Sequence, residues 1–93
     1  MKINILHQSQ NELQIELVDE SHSFANTLQS SILKDDTIEF VGYNISHPLM
    51  ANPVLFIRTK AQRRPEDALL DAAKRLVKEL TLIENTLKSN FNI

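Results

Sequence analysis

The residues of this chain whose types could do chemistry are three histidines, a few serines, an Asp-Asp pair and one basic run. His7, His22 and His47 lie far apart, and none has a second His or Asp at ligand spacing on a shared helix face. That is not the compact donor set of a usual zinc site. Ser21, Ser23, Ser30 and Ser31 have no Gly-x-Ser-x-Gly around them, so nothing marks a nucleophile. The single glycine excludes a glycine-rich phosphate loop. Asp35 and Asp36 could hold a cation, but their place suits a helix exit followed by a turn. Arg58, Lys60, Arg63 and Arg64, in "RTKAQRR", could touch phosphates. Their competing role is a solvated loop balanced by Glu66 and Asp67, and no interleaved aromatics offer a stacking surface.

His47 sits in "GYNISHPLMANPV" directly before Pro48. A residue before proline is pushed to extended geometry. Pro48 and Pro53 lack a backbone donor, which suits a connection or a strand's first position. The stretch is therefore expected to turn the chain from one strand to the next, with His47 hydrogen-bonding the turn. A small enzyme using His47 as acid or base is the rival expectation. On balance no catalytic, cofactor-binding or metal-binding residue is expected.

The elements that hold these residues follow from apolar periodicity. "KINILH" at 2–7 and "ELQIEL" at 12–17 alternate, with Leu13, Ile15 and Leu17 on one side of the second run, and read as a hairpin. Asp19, Ser21 and Ser23 are candidate N-caps. Phe24, Leu28 and Ile32 follow at helical spacing, predicting a helix over about 22–33, with Lys34 suited to its negative end. "TIEFVGYNIS" at 37–46 reads as a strand whose apolar phase changes beside Gly42, which predicts a bulge there. "VLFIRT" at 54–59 is apolar on both phases and needs cover on both faces. Pro65 opens the last helix, and Glu66 and Asp67 suit its first turn.

No Gly or Pro interrupts 66–88. Leu69, Ala73, Leu76, Leu80, Ile83 and Leu87 are spaced 4, 3, 4, 3, 4, with Leu70 and Val77 widening the seam. Such a helix runs on the order of 35 Å. That is long for a four-stranded sheet to cover, so part of the seam is expected to meet a partner helix or a second copy. The alternative is that the seam lies wholly on its own sheet. The order β-β-α-β-β-α predicts an α+β domain: a four-stranded, mainly antiparallel sheet with one short and one long helix.

Bulk composition agrees. The 93 residues predict one domain, 1–93, with 42% apolar and 24% charged residues. A net charge of -2 draws the chain to neither nucleic acid nor anionic membrane. The absence of cysteine excludes disulfides and thiol chemistry and fits a reducing cytoplasm. The N-terminal run lacks the long apolar centre of a signal peptide, and no run approaches the roughly 20 residues of a membrane span.

Four blocks then carry a resemblance. They are "ESHSFANTL" at 20–28, "IEFVGYNISHPL" at 38–49, "PVLFIRT" at 53–59 and "RPEDALLDAAKRL" at 64–76. In this order and spacing the chain resembles the archaeal RNA polymerase subunit L family. That family includes the eukaryotic small alpha-like subunits and is distantly similar to the N-terminal domain of bacterial polymerase alpha. His22, Asn26, Tyr43, His47 and Pro48 fall on its motif positions. Ser21 and Ser23 depart from the family's Asp and Thr but keep a capping oxygen, and Ala25 stands where many members have Gly.

The resemblance implies assembly rather than catalysis. Family members pair with a larger alpha-like subunit, called D in archaea, and the pair docks the two large catalytic subunits. The first and last helices build the family's dimer interface. Carried onto this chain, that nominates Phe24, Leu28 and Ile32 with Leu69, Ala73, Leu76, Leu80, Ile83 and Leu87. No cofactor and no direct sequence-specific nucleic-acid contact are implied. The alternative function is a small α+β nucleic-acid-binding module using the basic 58–64 loop, and a self-pairing interaction protein is a further one.

Overall fold

A computed structural model describes residues 2–43 and 52–91. The strand connection containing His47 and Pro48 lies outside the described residues. The elements are β1 (Lys2–Gln8), β2 (Glu12–Val18), α1 (His22–Ile32), β3 (Ile38–Tyr43), β4 (Val54–Thr59) and α2 (Pro65–Phe91). The strands form one sheet in the order β1-β2-β4-β3, with every neighbouring pair antiparallel. Both helices cover one face of it, as the alternation in β2 requires. Leu13, Ile15 and Leu17 are buried beneath them, while Glu12, Gln14 and Glu16 between them face the other way.

The hairpin of β1 and β2 closes at Ser9, whose N–H donates to the Glu12 carbonyl. The ladder slips by one residue between Ile5 and His7, leaving Leu6 as the extra residue of a bulge. In β3 the bulge falls at Glu39 and not, as the sequence predicts, beside Gly42. Ile38 pairs with Thr59 while Phe40 pairs with Arg58, so the ladder shifts between them. Ile38 thereby turns to the core and Phe40 to the outer face, where its ring lies 5.9 Å from that of Phe56. A charged residue with no place in the core is the one extruded, and Gly42 stays in an ordinary negative-φ strand.

Ser21, of the three candidates, caps α1: its Oγ accepts from the Phe24 N–H at 3.0 Å. Asp35 governs the exit, accepting from the Thr37 N–H at 2.9 Å and the Thr37 hydroxyl at 2.6 Å. The β4–α2 turn passes through Ala61 at φ 50, a left-handed angle that costs a non-glycine residue about 1–2 kcal/mol. Asn11 offsets this by donating to the Ala61 carbonyl at 2.8 Å and the Thr59 carbonyl at 3.1 Å. The hairpin turn thus sets where α2 begins, with Pro65 at its first position.

Small residues on α2 let it lie close. Ala68 and Ala72 are fully enclosed, and Ser31 Oγ of α1 donates to the Ala72 carbonyl at 3.1 Å. Arg75 returns a bond to the Ser31 carbonyl at 2.6 Å. The core is completed by Leu55 and Ile57 of β4, Val41 of β3, and Ala25, Leu28 and Ile32 of α1. Beyond Leu76 no residue of the helix joins the core, and every residue from Val77 to Phe91 is exposed. At 1.5 Å per residue that overhang is roughly 20 Å long.

Candidate partner interface

The two helices and the sheet do not close on one another. Between them runs an open groove of about 520 Å³. Its floor is Ile15 and Leu17 of β2 with Ile3 of β1. One wall is Phe24, Thr27 and Leu28 of α1; the other is Leu69, Ala73, Leu76, Val77, Leu80 and Ile83 of α2. The groove exists because α2 seats its alanine stripe most deeply, leaving Leu69 and Leu76 of the seam only half-buried beside it. Ala68 and Ala72 fill the contact, and the 4-3-4-3-4 seam points across the opening.

The groove carries one charged residue, Glu79, and that carboxylate is paired at 3.1 Å with Lys34 at the end of α1. Leu80 is 64% exposed, Ile83 55% and Leu87 49%. These residues follow one another along one face of α2, so their exposure is contiguous rather than scattered.

The nominated residues divide by burial. Phe24, Leu28, Leu69, Ala73, Leu76, Leu80 and Ile83 all line the groove, and Leu87 continues their seam along the overhang. Ile32 does not join them. It is fully enclosed in the chain's own core, in one cluster with Leu28, Ile57 and Ala72, so it offers a partner no surface, and Leu28 on the groove wall is itself only 5% exposed. Ile3, Ile15 and Leu17 were not nominated, although their alternation on paired strands shows that they share one face. Phe91, 66% exposed, extends the seam phase one turn past Leu87.

The motif polar residues lie at the margin. The His22 ring is 5.9 Å from Tyr43, joining the start of α1 to the end of β3. Asn26 is exposed, and its carbonyl accepts from the Ser30 hydroxyl. His7 lies 3.4 Å from Glu12.

The basic run is engaged within the chain. Arg58 meets Glu12 at 3.0 Å and Glu39 at 4.0 Å, and Arg64 meets Glu66 at 3.2 Å. Lys60 Nζ donates to the Asp36 carbonyl at 3.1 Å. Arg63 bridges Asp71 at 2.6 Å and Asp35 at 3.2 Å, fastening the α1 exit to the first turns of α2. Donation from Thr37 holds the Asp35 carboxyl below its ordinary range, with Arg63 adding to it. Donation from Arg63 does the same for Asp71. Each cation of the run thus has an acceptor in its own chain.

Comparison with known proteins gives a consistent set of relatives. Residues 12–86 match the family described as the RNA polymerase Rpb3/Rpb11 dimerisation domain. DNA-directed RNA polymerase subunit Rpo11 of Methanocella arvoryzae is 39% identical over 79 residues, covering 85% of each chain. The Rpo11 subunit of Korarchaeum cryptofilum is 33% identical over 86 residues, covering 92% of this chain and 88% of that one. Among solved structures, the crystal structure of DNA-directed RNA polymerase subunit L from Thermoplasma acidophilum superposes with a TM-score of 0.88 at 25% identity. That superposition covers 98% of this chain and 89% of the other.

Proposed function

Because the chain belongs to the RNA polymerase Rpb3/Rpb11 dimerisation domain family, we propose that it is the small, non-catalytic alpha-like subunit of a DNA-directed RNA polymerase, joined to the larger alpha-like subunit, D, through the groove and the overhanging half of α2. The observation that carries this is the largely apolar face from Phe24 and Leu28 across Leu69 to Ile83, on which Leu80 and Ile83 stay more than half exposed. A helix pair of the larger subunit laid across this face removes it from water. It also gives the overhang of α2 the cover its own sheet does not supply.

The whole chain acts as one dimerisation unit in this scheme. The pair then presents a joint surface on which the two large catalytic subunits assemble. The chemistry of transcription belongs to those subunits. Within the described residues of this chain no group of three His, Cys, Asp or Glu side chains is placed to hold a metal. Among them, too, no helix is long and apolar enough to cross a membrane. Specific stable interfaces bury on the order of 1,000 Å² or more in total. The groove and overhang together offer an apolar centre for one.

Co-expression with the larger alpha-like subunit of the same host tests the proposal. Light scattering on the purified product should give a one-to-one complex, and that complex should retain the large catalytic subunits when they are added. Chains that elute separately would overturn it.

A further inference from the structure

A second apolar trough lies beside the groove, between the edge strand β1 and the first turns of α2. It encloses about 380 Å³, and its walls include Ile3, Ile5, Leu13, Leu69, Leu70 and Ala73. Ile3, Ile15, Leu69 and Ala73 belong to both hollows, so trough and groove are one continuous apolar surface.

The trough is open for a structural reason. β1 pairs along one edge only, with β2. Its Ile3 and Ile5 sit opposite Leu17 and Ile15, on the helix-covered face of the sheet. Yet Ile3 is 49% exposed and Ile5 58%, against 1% and 2% for their β2 partners. The difference arises because α2 packs through Ala68 and Ala72 over the inner strands and leaves its Leu70 flank short of β1. Leu70 is itself 54% exposed. At Gln8 the trough ends in a polar stop, where the side-chain amide donates to Glu66 at 3.3 Å.

We infer that the pairing contact does not end at the helices: an aliphatic segment of the same alpha-like partner continues off α2 into this trough and packs on Ile3, Ile5 and Leu70. The inference rests on the proposal that the groove is the pairing site. Continuity names the occupant. Anything seated against Leu69 and Ala73 in the groove already touches the trough's wall. The lining names the chemistry, since its only polar groups, Gln8 and Glu66, are hydrogen-bonded to each other at one end. An anionic or nucleic-acid segment would find no cation in that lining to replace its water. The hairpin thus becomes part of the interface and helps select the partner.

The double variant Ile5→Thr/Leu70→Gln tests this. Both positions are exposed in the free chain, Thr suits a strand and Gln suits a helix, so folding is preserved. Affinity for the larger alpha-like subunit is measured by titration. Thermal unfolding of the free chain is followed alongside, with Leu33→Gln, exposed at the end of α1 and outside both hollows and the overhang of α2, as control. The expected result is a loss of about tenfold to a hundredfold in affinity for the double variant. The control should bind as wild type, and the free chains should melt together. Wild-type affinity in the double variant, with Leu80→Asp still disrupting pairing, overturns the trough while leaving the groove intact. Wild-type affinity in all three variants overturns the groove, and the trough with it. Loss of self-association alone would make a second copy the occupant and also overturn the inference.

Discussion

Leu80 offers a clean probe of the pairing face. It lines the groove yet is 64% exposed, so its own chain gains little from it. Full burial of a leucine side chain contributes about 1.5–3 kcal/mol. Some two-thirds of that is still to be gained when a partner covers the site, or about 1–2 kcal/mol. Leu80→Ala should therefore weaken pairing roughly 5- to 30-fold, at about 1.4 kcal/mol per tenfold. The free chain should keep its thermal midpoint, since an exposed substitution usually moves stability by no more than about 0.5 kcal/mol. Leu80→Asp should go further and abolish pairing, because it buries an unpaired carboxylate beside the groove's existing Glu79. Titration of a labelled larger subunit against each variant gives the affinities, and circular dichroism melts give the stabilities. Leu76→Asp should also abolish pairing. That variant is less informative alone, because Leu76 is half-buried against its own core. If both Asp variants pair with wild-type affinity, the seam is not the interface and the assignment of α2 fails.

Two further outcomes separate fold from interface. Ile32→Ala should lower the stability of the free chain by about 2–5 kcal/mol, read from its denaturant midpoint, while the folded fraction keeps its affinity for the partner; a selective loss of affinity with unchanged stability would return Ile32 to the interface. The Arg63 clamp should depend on pH. Asp35 and Asp71 titrate below ordinary aspartates in the folded chain, so the stability they contribute is whole above the unfolded value near pH ~3.9 and is lost as pH falls through their lower folded values. Arg63→Ala should thus be less stable than wild type at neutral pH, with the gap closing as the solution is acidified below about pH 4. A gap that stays constant across that range would show that Arg63 acts by packing alone.

The sequence by itself determined the element order, because periodicity is local. Leu13, Ile15 and Leu17 alternate whatever they pack against, and a serine before Phe24 offers a cap whatever follows. It also specified the α2 seam, and with the motif blocks at 20–28, 38–49 and 64–76 it pointed to the family. Which stripe of α2 faces inward was a tertiary decision. The leucines are the more apolar stripe, but Ala68 and Ala72 permit the closer approach to sheet and α1, so Leu69 and Leu76 reach only the margin of the core and Leu80, Ile83 and Leu87 remain outside. The β3 bulge was decided the same way. Register against β4 extrudes Glu39, although Gly42 is locally the easier place to kink. Ile32 is equivalent to Phe24 and Leu28 in spacing, and only the crossing of the two helices puts it under rather than beside the groove. The basic loop reads in the sequence as a solvated loop balanced by Glu66 and Asp67, whereas its acceptors Glu12, Asp35, Asp36, Glu39 and Asp71 come from other segments that folding alone brings to it. Periodicity specifies which face of each element is apolar, whereas the fit of the elements to one another leaves one such face uncovered, and that uncovered face is the surface proposed to receive the partner.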